Sequence, residues 1–225
     1  MPLLCSYDVP FYGSTPTTAD VERVTTSSVP PVGLRNGIEI GDPLQVVLGF
    51  LEAWRFEVGD ASASFEESDL RLANRGGARI SAAEIAAVLE RHRAIERALQ
   101  AIAPRASLAG TAKSVPWLPL RHLFDAFADI RGVGFSKMTK ALHPKRPALI
   151  PMLDSVVQKY LEDDDPGAKA PFGDRALGLV RGYKSDLDRN RAGVRAVQQD
   201  LTRRGYEVTE VRILDLLIWS VQGPA

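Results

Sequence analysis

Apolar residues recur at helical spacing along most of this chain, and this periodicity restricts its fold more than any other feature. One stripe begins after Asp42-Pro43, an N-cap followed by a proline at the first helical position. Others begin at the capping box Ser81-Ala82-Ala83-Glu84 and at Thr209. The stripe from Ser81 to Ile102 predicts the longest helix, ended by Pro104. The pattern predicts an all-α helical bundle, with a two-lobed arrangement as an alternative.

The N-terminal part differs from the rest in composition. Residues 7–33 are rich in serine, threonine and proline, so we expect residues 1–41 to form an extended arm and residues 42–225 to form the helical domain. Asn36-Gly37 is a turn signal that predicts a very short hairpin at the end of this arm. Within the domain, the acidic stretch from Glu162 to Gly173 predicts a long loop.

Gly132-Val133-Gly134 interrupts two helical stripes and predicts a sharp turn between them. The first stripe ends at Ile130, and the second predicts a short helix over Phe135–Leu142. Glycine permits the positive φ of such a turn and lets another backbone approach closely. The N–H groups that open the second helix favour an anion, and Lys137 and Lys140 lie on its first turns. The segment indicates a phosphate site, although a plain link between two crowded helices is the simpler interpretation of these three residues alone.

The stretch from Phe127 to Tyr160 resembles the helix-hairpin-helix core of the endonuclease III and adenine-DNA glycosylase superfamily. The shared order is a Gly-Val-Gly hairpin, a helix, a proline-containing loop and an aspartate that opens the next helix. Here the last two parts are Pro147-Ala148-Leu149-Ile150-Pro151 and Leu153-Asp154-Ser155-Val156-Val157, and the spacing from Gly134 to Asp154 also matches that superfamily. Roughly residues 40–220 also resemble a bacterial domain family of unknown function, which has a similar Lys-Arg-Pro-Ala-Leu-Ile-Pro segment before an Asp-Ser-Val-Val helix start.

The glycosylase resemblance implies roles for individual positions. Asp154 would be the catalytic carboxylate, which stabilises the positive charge that develops on the sugar as a base departs. An N-cap role for Asp154 is compatible with this. The lysine that forms an imine with the sugar in bifunctional members is replaced by Ser136, so the resemblance implies base removal by water, as in the single-function adenine glycosylases. The residues that would bind DNA are Gly132, Val133, Gly134, Ser136, Lys137 and Lys140.

The formal net charge is zero, which is unusual for a strong nucleic-acid binder. The charges are nevertheless separated along the chain. From Arg131 to Lys159 six basic residues accompany one acidic residue, and from Arg175 to Arg204 eight accompany three. These stretches predict a positive face for DNA, or else two ordinary solvated helix faces.

An extruded base needs aromatic or apolar walls and a few polar contacts. Trp54 and Trp219 fit core positions of helical stripes, whereas Trp117 lies between two prolines before a helix. The candidates for such a pocket are Trp54, Arg55, Phe56, Trp117, His122 and Tyr183.

Composition argues against several other classes of site and protein. One cysteine and three scattered histidines give no metal-ligand spacing, so we expect no metal and no cofactor. No apolar run approaches the roughly 20 residues that span a bilayer, and no secretory signal pattern is present, so we expect a cytoplasmic protein without membrane contact. Two functions remain open. One is a monofunctional DNA N-glycosylase that flips a damaged or modified base out of double-stranded DNA during repair, and the other is a non-catalytic DNA-binding or scaffold protein with the same fold.

Overall fold

The computed structural model describes residues 29–53 and 61–222, and helices dominate both ranges. Two short strands come first, β1 (Val32–Gly33) and β2 (Glu39–Ile40). The α-helices that follow in the described part are α1 Pro43–Ala53, α2 Glu67–Arg75, α3 Ala82–Leu89, α4 His92–Gln100, α5 Trp117–Asp125, α6 Phe135–Leu142, α7 Ser155–Tyr160, α8 Phe172–Arg189, α9 Arg191–Arg203 and α10 Glu210–Gln222. Short 3-10 turns lie at Ala112–Ser114, His143–Lys145 and Glu162–Asp164.

The predicted short hairpin at Asn36-Gly37 is confirmed. Strands β1 and β2 pair in antiparallel fashion with Val32 opposite Ile40, and Gly37 adopts a φ of 82° in the turn between them. The hairpin is held to the helical body by Arg35, whose guanidinium forms ion pairs with Asp164 and Asp186. The end of the predicted arm therefore packs on the body, while the boundary at residue 41 stays a prediction.

The helices pack around one connected core, which confirms the all-α bundle. Helix α5 packs on α8 and beside α4, α2 packs against α6, and α10 contacts α1, α7 and α9. The buried apolar side chains form a single cluster that runs from Val29 to Ile218. Because α5 and α8 join the two halves of the chain, the described residues share one core, and the two-lobed alternative is not observed.

The predicted longest helix is wrong, because the stretch from Ser81 to Ile102 divides into α3 and α4. The chain turns at Glu90 and Arg91. There the His92 ring forms a hydrogen bond with the Leu89 carbonyl at 2.6 Å, which satisfies one of the free carbonyl groups at the C-terminal end of α3. The capping box at Ser81 and Glu84 is present as predicted.

The longest helix in the described part is α8, with 18 residues, and its sequence does not predict a helix of this length. It contains Gly173, Gly178 and Gly182, which lower helix propensity. These glycines permit a close approach by other chain segments, since a β-carbon at position 178 would lie 2.5 Å from the carbonyl oxygen of Asp164. Tertiary packing therefore overrides the local preference.

Within residues 29–53 and 61–222, no helix combines the length and the apolar character needed to cross a membrane. These same residues bring together no group of three or more histidine, cysteine or acidic side chains able to hold a metal ion.

Candidate nucleic-acid interface

The segment from Ile130 to Gly134, hereafter the glycine turn, leads directly into α6. Helix α5 ends earlier than the sequence predicts, at Asp125, because Asp129 and Gly132 adopt left-handed φ values of 62° and 82°. Val133 is buried, and its N–H donates to the Ile130 carbonyl at 3.0 Å. The turn is therefore anchored to the core by its apolar residues and exposes its glycines.

Gly134 is the N-cap of α6, and its surroundings are open. Its backbone is extended, no side chain caps the helix, and a β-carbon at this position would meet nothing within 4 Å. The first helical bond runs from the Met138 N–H to the Gly134 carbonyl, at 3.1 Å. The N–H groups of the first turn precede this bond and have no acceptor within the helix, so they are available to an anion.

Glu84 of α3 occupies the other side of the glycine turn. A β-carbon at position 132 would stand 2.1 Å from Oε1 of Glu84. The Lys137 ammonium donates to both carboxylate oxygens at 2.7 Å, and the Ser81 N–H donates to Oε2 at 2.8 Å. The hydrogen bond from Lys137 is the main reason why the pKa of Glu84 is lowered from its usual value. An internal carboxylate thus engages Lys137, one of the two lysines that the sequence predicts for a phosphate, and leaves the side at Gly134 open.

The six residues predicted to bind DNA are adjacent in the structure but differ in what they offer. Val133 points into the core, so only its backbone is available. Lys137 is engaged by Glu84, and Lys140 lies near the turn between α2 and α3, where its ammonium is 3.4 Å from the Gly77 carbonyl oxygen. Ser136 is half-buried on the first turn of α6. DNA binding by this group stays a prediction.

Two of the six basic residues in the first stretch, from Arg131 to Lys159, are internal, which corrects that part of the charge argument. Lys145 is buried and pairs with Asp69 at 2.9 Å. Arg146 is 1% exposed and donates to backbone carbonyls, among them those of Ala61 and Leu99, at 2.7 and 2.9 Å. Burial lowers the pKa of the Arg146 guanidinium. Both side chains stabilise the fold and add nothing to the outer surface.

The second basic stretch is largely neutralised by nearby acids. Six of its eight basic residues form ion pairs with carboxylates, namely Arg175 with Asp165, Lys184 with Asp188, Arg189 with Asp186, Arg191 with Asp188, Arg195 with Glu210 and Arg203 with Asp200. Arg181 instead stacks over the Trp117 ring, 5.5 Å from its centroid. Most of this charge therefore does not project as a positive face, in agreement with the alternative of ordinary helix surfaces.

Asp154 is the N-cap of α7, as the sequence predicts. Its Oδ1 accepts from the N–H groups of Val156 and Val157, each at 3.1 Å, and its Oδ2 accepts from the indole N–H of Trp219 at 2.7 Å. The residue is only 7% exposed. The carboxylate is thus held in one orientation with little access to water.

Thr139 connects the glycine turn to Asp154. Its buried hydroxyl donates to the Phe135 carbonyl at 2.8 Å and accepts from the Leu153 N–H at 2.9 Å. Phe135 opens α6 and Leu153 immediately precedes Asp154. One side chain therefore links the start of the predicted DNA-binding helix to the loop that carries the carboxylate.

A second buried carboxylate, Asp215 of α10, lies near Asp154 and was not foreseen. Its Oδ2 accepts from the Met152 N–H at 3.3 Å, and the Arg212 guanidinium lies 3.9 Å away. Burial is the main cause of its pKa being raised to about 7, and the charge of Asp154 adds to the effect. The sequence does contain one indication of a buried acid here, because Asp215 is the single acidic residue in the otherwise apolar run from Ile213 to Trp219.

His143 belongs to the same polar interior. Its Nδ1 bonds the Ile150 carbonyl at 2.6 Å. Burial, and then the charge of Arg212, lowers the pKa of His143 to about 4, so the ring is neutral at physiological pH.

The residues proposed to surround an extruded base do not form one pocket in the described part. Tyr183 is fully buried and donates to the Val211 carbonyl at 2.5 Å, so its ring faces no ligand. Trp117 is half-buried, and its indole N–H donates to the Ala112 carbonyl at 2.9 Å. His122 is exposed on α5. Trp54, Arg55 and Phe56 lie outside the described residues.

Comparison with known proteins identifies one family. Residues 55–222 match the family of unknown function DUF6308. This match confirms the resemblance to a domain family of unknown function and does not extend to the glycosylase superfamily. No curated protein and no solved structure matches the chain. Since the family match covers well over half of the sequence, the chain belongs to the DUF6308 family.

Proposed function

We propose that this protein binds the phosphate backbone of double-stranded DNA through the glycine turn and the N-terminus of α6. The observation that carries the proposal is the open face at Gly134, where a β-carbon would meet nothing within 4 Å. A phosphate approaching this face meets the N–H groups of the first helical turn and the positive end of the helix dipole. The position of Gly134 lets the strand come close to the backbone.

Glu84 sets the conditions for this binding. A phosphate at the turn competes with the Glu84 carboxylate, because both are anions and both are attracted to Lys137. When Lys137 turns from Glu84 to a phosphate, the carboxylate keeps its hydrogen bond from the Ser81 N–H. Binding therefore exchanges one ion pair for another and is expected to be moderate in strength and sensitive to salt.

We further propose that the bound strand is a substrate and that Asp154 acts in the removal of a base. In this reaction the bond between the sugar C1′ and the base nitrogen breaks, the base takes the electron pair, and water adds to C1′ while the proton that it loses ends on the departed base. The sugar becomes positively charged as the base departs, and a fixed carboxylate in a water-poor site stabilises that charge. The three N–H donors to Asp154 and its low exposure fit this role.

A non-catalytic DNA-binding protein is the second candidate, and one observation favours it. Both oxygens of Asp154 already accept hydrogen bonds from the protein, and the residue is nearly buried. These are also the properties of a purely structural cap. In that case the turn holds DNA while Asp154 only fixes the start of α7.

Duplexes that carry a panel of damaged or modified bases separate the two candidates. The duplexes are incubated with the protein and treated with alkali, which cleaves abasic sites. Base excision predicts strand breaks that disappear in Asp154→Asn, a variant that keeps a good N-cap. DNA retention without any break that depends on Asp154, across the whole panel, rejects catalysis and leaves the second candidate.

Gly134→Glu tests the binding surface itself. It places a negative charge at the open face and is expected to abolish DNA retention in low salt without unfolding the protein. Gly41→Glu is the matched control, because Gly41 is also exposed with nothing within 4 Å and lies before α1. Equal DNA retention by both variants rejects the glycine turn as the binding site.

A further inference from the structure

A groove of about 590 Å³ runs between α4 and α5, and its lining combines apolar and cationic residues. Six of the ten lining residues are small or apolar and are here called the apolar floor, and the others include two arginines and a histidine. Leu118 on α5 is 59% exposed, and in the described part it is the more exposed of two large hydrophobic side chains at the surface, the other being Ile38. The apolar lining residues are Ala94, Ala98, Ala101, Leu118, Pro119 and Ala126.

The cations of this groove lack acidic partners, in contrast to those of α8 and α9. Arg91 and Arg97 line the groove, and neither forms an ion pair with another described residue. Arg97 Nε donates to the Arg93 carbonyl at 3.2 Å, which leaves its charge uncompensated. Their positive charge is therefore available to an external anion.

The acids near the groove are already engaged by the protein. Asp125 lines the groove, but its Oδ1 accepts from the Gly173 N–H at 3.0 Å and its Oδ2 lies 3.8 Å from Arg121 Nε. Glu96 accepts from the Phe65 N–H at 3.0 Å. Among the lining residues two arginines stand against one carboxylate, Asp125, so the lining carries a small excess of positive charge.

We infer that this groove binds an acidic amphipathic helix from a partner protein. Two packed helices form a natural cleft for a third, and apolar side chains of the partner would lie on the alanine floor beside Leu118. Acidic side chains on its flanks would pair with Arg91 and Arg97.

The apolar floor favours a protein over a nucleic acid as the occupant. A DNA backbone presents phosphates and sugars, which gain little from burial against alanine and leucine. A helix with one apolar stripe and acidic flanks matches both properties of the groove. This inference is independent of the glycine turn and of Asp154.

Selection from a displayed library of random peptides, long enough for about four helical turns, tests the inference on the full chain. The enriched peptides are expected to carry acidic residues together with apolar residues at helical spacing. Their binding is expected to fall at least tenfold in Leu118→Glu and in the double variant Arg91→Glu/Arg97→Glu, and to weaken with added salt. Ala101→Trp, which fills an exposed part of the lining, is expected to act similarly.

The controls separate this proposal from the DNA proposal. Arg203→Glu changes a charge on α9, away from the groove lining, and is expected to leave peptide binding unchanged. A short DNA duplex measured with the same variants is expected to be unaffected by Leu118→Glu and to lose binding in Gly134→Glu. If no enriched peptide depends on Leu118 and the arginines, or if the charge reversals abolish duplex binding instead, the groove is not a site for an acidic helix.

Discussion

The carboxylate of Glu84 lies so close to Gly132 that a β-carbon at position 132 would stand 2.1 Å from Oε1. Lys137 completes this contact by donating to both oxygens. The glycine is therefore required twice, once by its φ of 82° and once by the approach of α3. Glu84, Gly132 and Lys137 thus join α3 to α6, and no local sequence pattern predicts this contact.

The two glycines of the turn are expected to respond differently to alanine. Gly132→Ala adds a β-carbon at a position with a left-handed φ and in close contact with the Glu84 carboxylate. The substitution should lower the free energy of unfolding by about 1–2 kcal/mol or more. Gly134→Ala has neither difficulty, because Gly134 is extended and open, and should change stability by less than about 1 kcal/mol. Urea denaturation measures both. Equal losses would contradict the assigned contact with Glu84.

Glu84→Gln is expected to strengthen DNA binding by about two- to fivefold in low salt. The amide keeps the capping interaction with the Ser81 N–H but releases Lys137 to contact a phosphate. The natural protein exchanges the Glu84 pair for the phosphate, whereas the variant gains the phosphate contact without giving up an ion pair, so the slope of log K against log salt is expected to be steeper by up to about 0.9. Fluorescence anisotropy of a labelled duplex measures both quantities.

The control for this variant is Glu67→Gln, which breaks an exposed ion pair with Arg71 on α2. It removes the same charge from the protein and leaves Lys137 bound to Glu84. If it strengthens DNA binding as much as Glu84→Gln does, the gain comes from net charge and the glycine turn is not involved.

The local parts of the structure could be predicted from the sequence, and the long-range parts could not. Capping at Ser81 and at Asp154, the short hairpin at Asn36-Gly37 and the turn at Gly132 follow from residue types at fixed spacing. Helix α8 was missed because its glycines have low helix propensity and are explained only by segments that pack on them.

The positive face predicted from the charge pattern was also wrong in part, because it too depends on contacts between distant segments. Lys145 and Arg146 read as surface residues because such side chains are seldom fully buried. Their partners are Asp69 and backbone carbonyls from distant segments, which a linear count of charges does not include. Likewise, nothing in the sequence pairs Trp219 or Asp215 with Asp154, since these contacts depend on how α10 packs beside α7.

Arg146→Met is expected to lower the free energy of unfolding by at least about 3 kcal/mol. The guanidinium satisfies carbonyls near residue 61 and at the end of α4, and methionine would leave them buried without donors. Arg203→Met, in an exposed ion pair on α9, should change stability by less than about 1 kcal/mol. Thermal or urea denaturation compares the two. A small loss for Arg146→Met would show that water replaces the guanidinium.

The pH dependence of stability is expected to depend on Asp215. The pKa of this carboxyl is raised to about 7 in the folded protein from 3.8, so ionisation favours the unfolded chain as the pH rises between these values. Its stabilising contribution is complete below about pH 4 and is lost toward pH 7. Asp215→Asn cannot ionise and keeps an acceptor for Met152. Its melting temperature relative to the natural protein should therefore rise between about pH 4 and about pH 7 and then level off.

His143 shifts stability in the opposite direction over an overlapping range. Its pKa is lowered to about 4 from 6.5, so its contribution is complete above about pH 6.5 and is lost as the pH falls toward 4. This loss occurs in both proteins and cancels in the difference between Asp215→Asn and the natural chain. A difference that stays constant with pH would contradict the raised pKa of Asp215.

The hydroxyl of Thr139 makes α6 and the Asp154 loop mechanically dependent on each other. It is bonded on one side to the first residue of α6 and on the other to the residue before Asp154. A strand that pulls or tilts α6 as it binds the glycine turn therefore strains the Leu153 bond at the same time. Under the proposed function, a strand at the turn is therefore expected to shift the Asp154 loop as well, and Thr139→Val, which keeps the shape and removes the hydroxyl, removes these two hydrogen bonds.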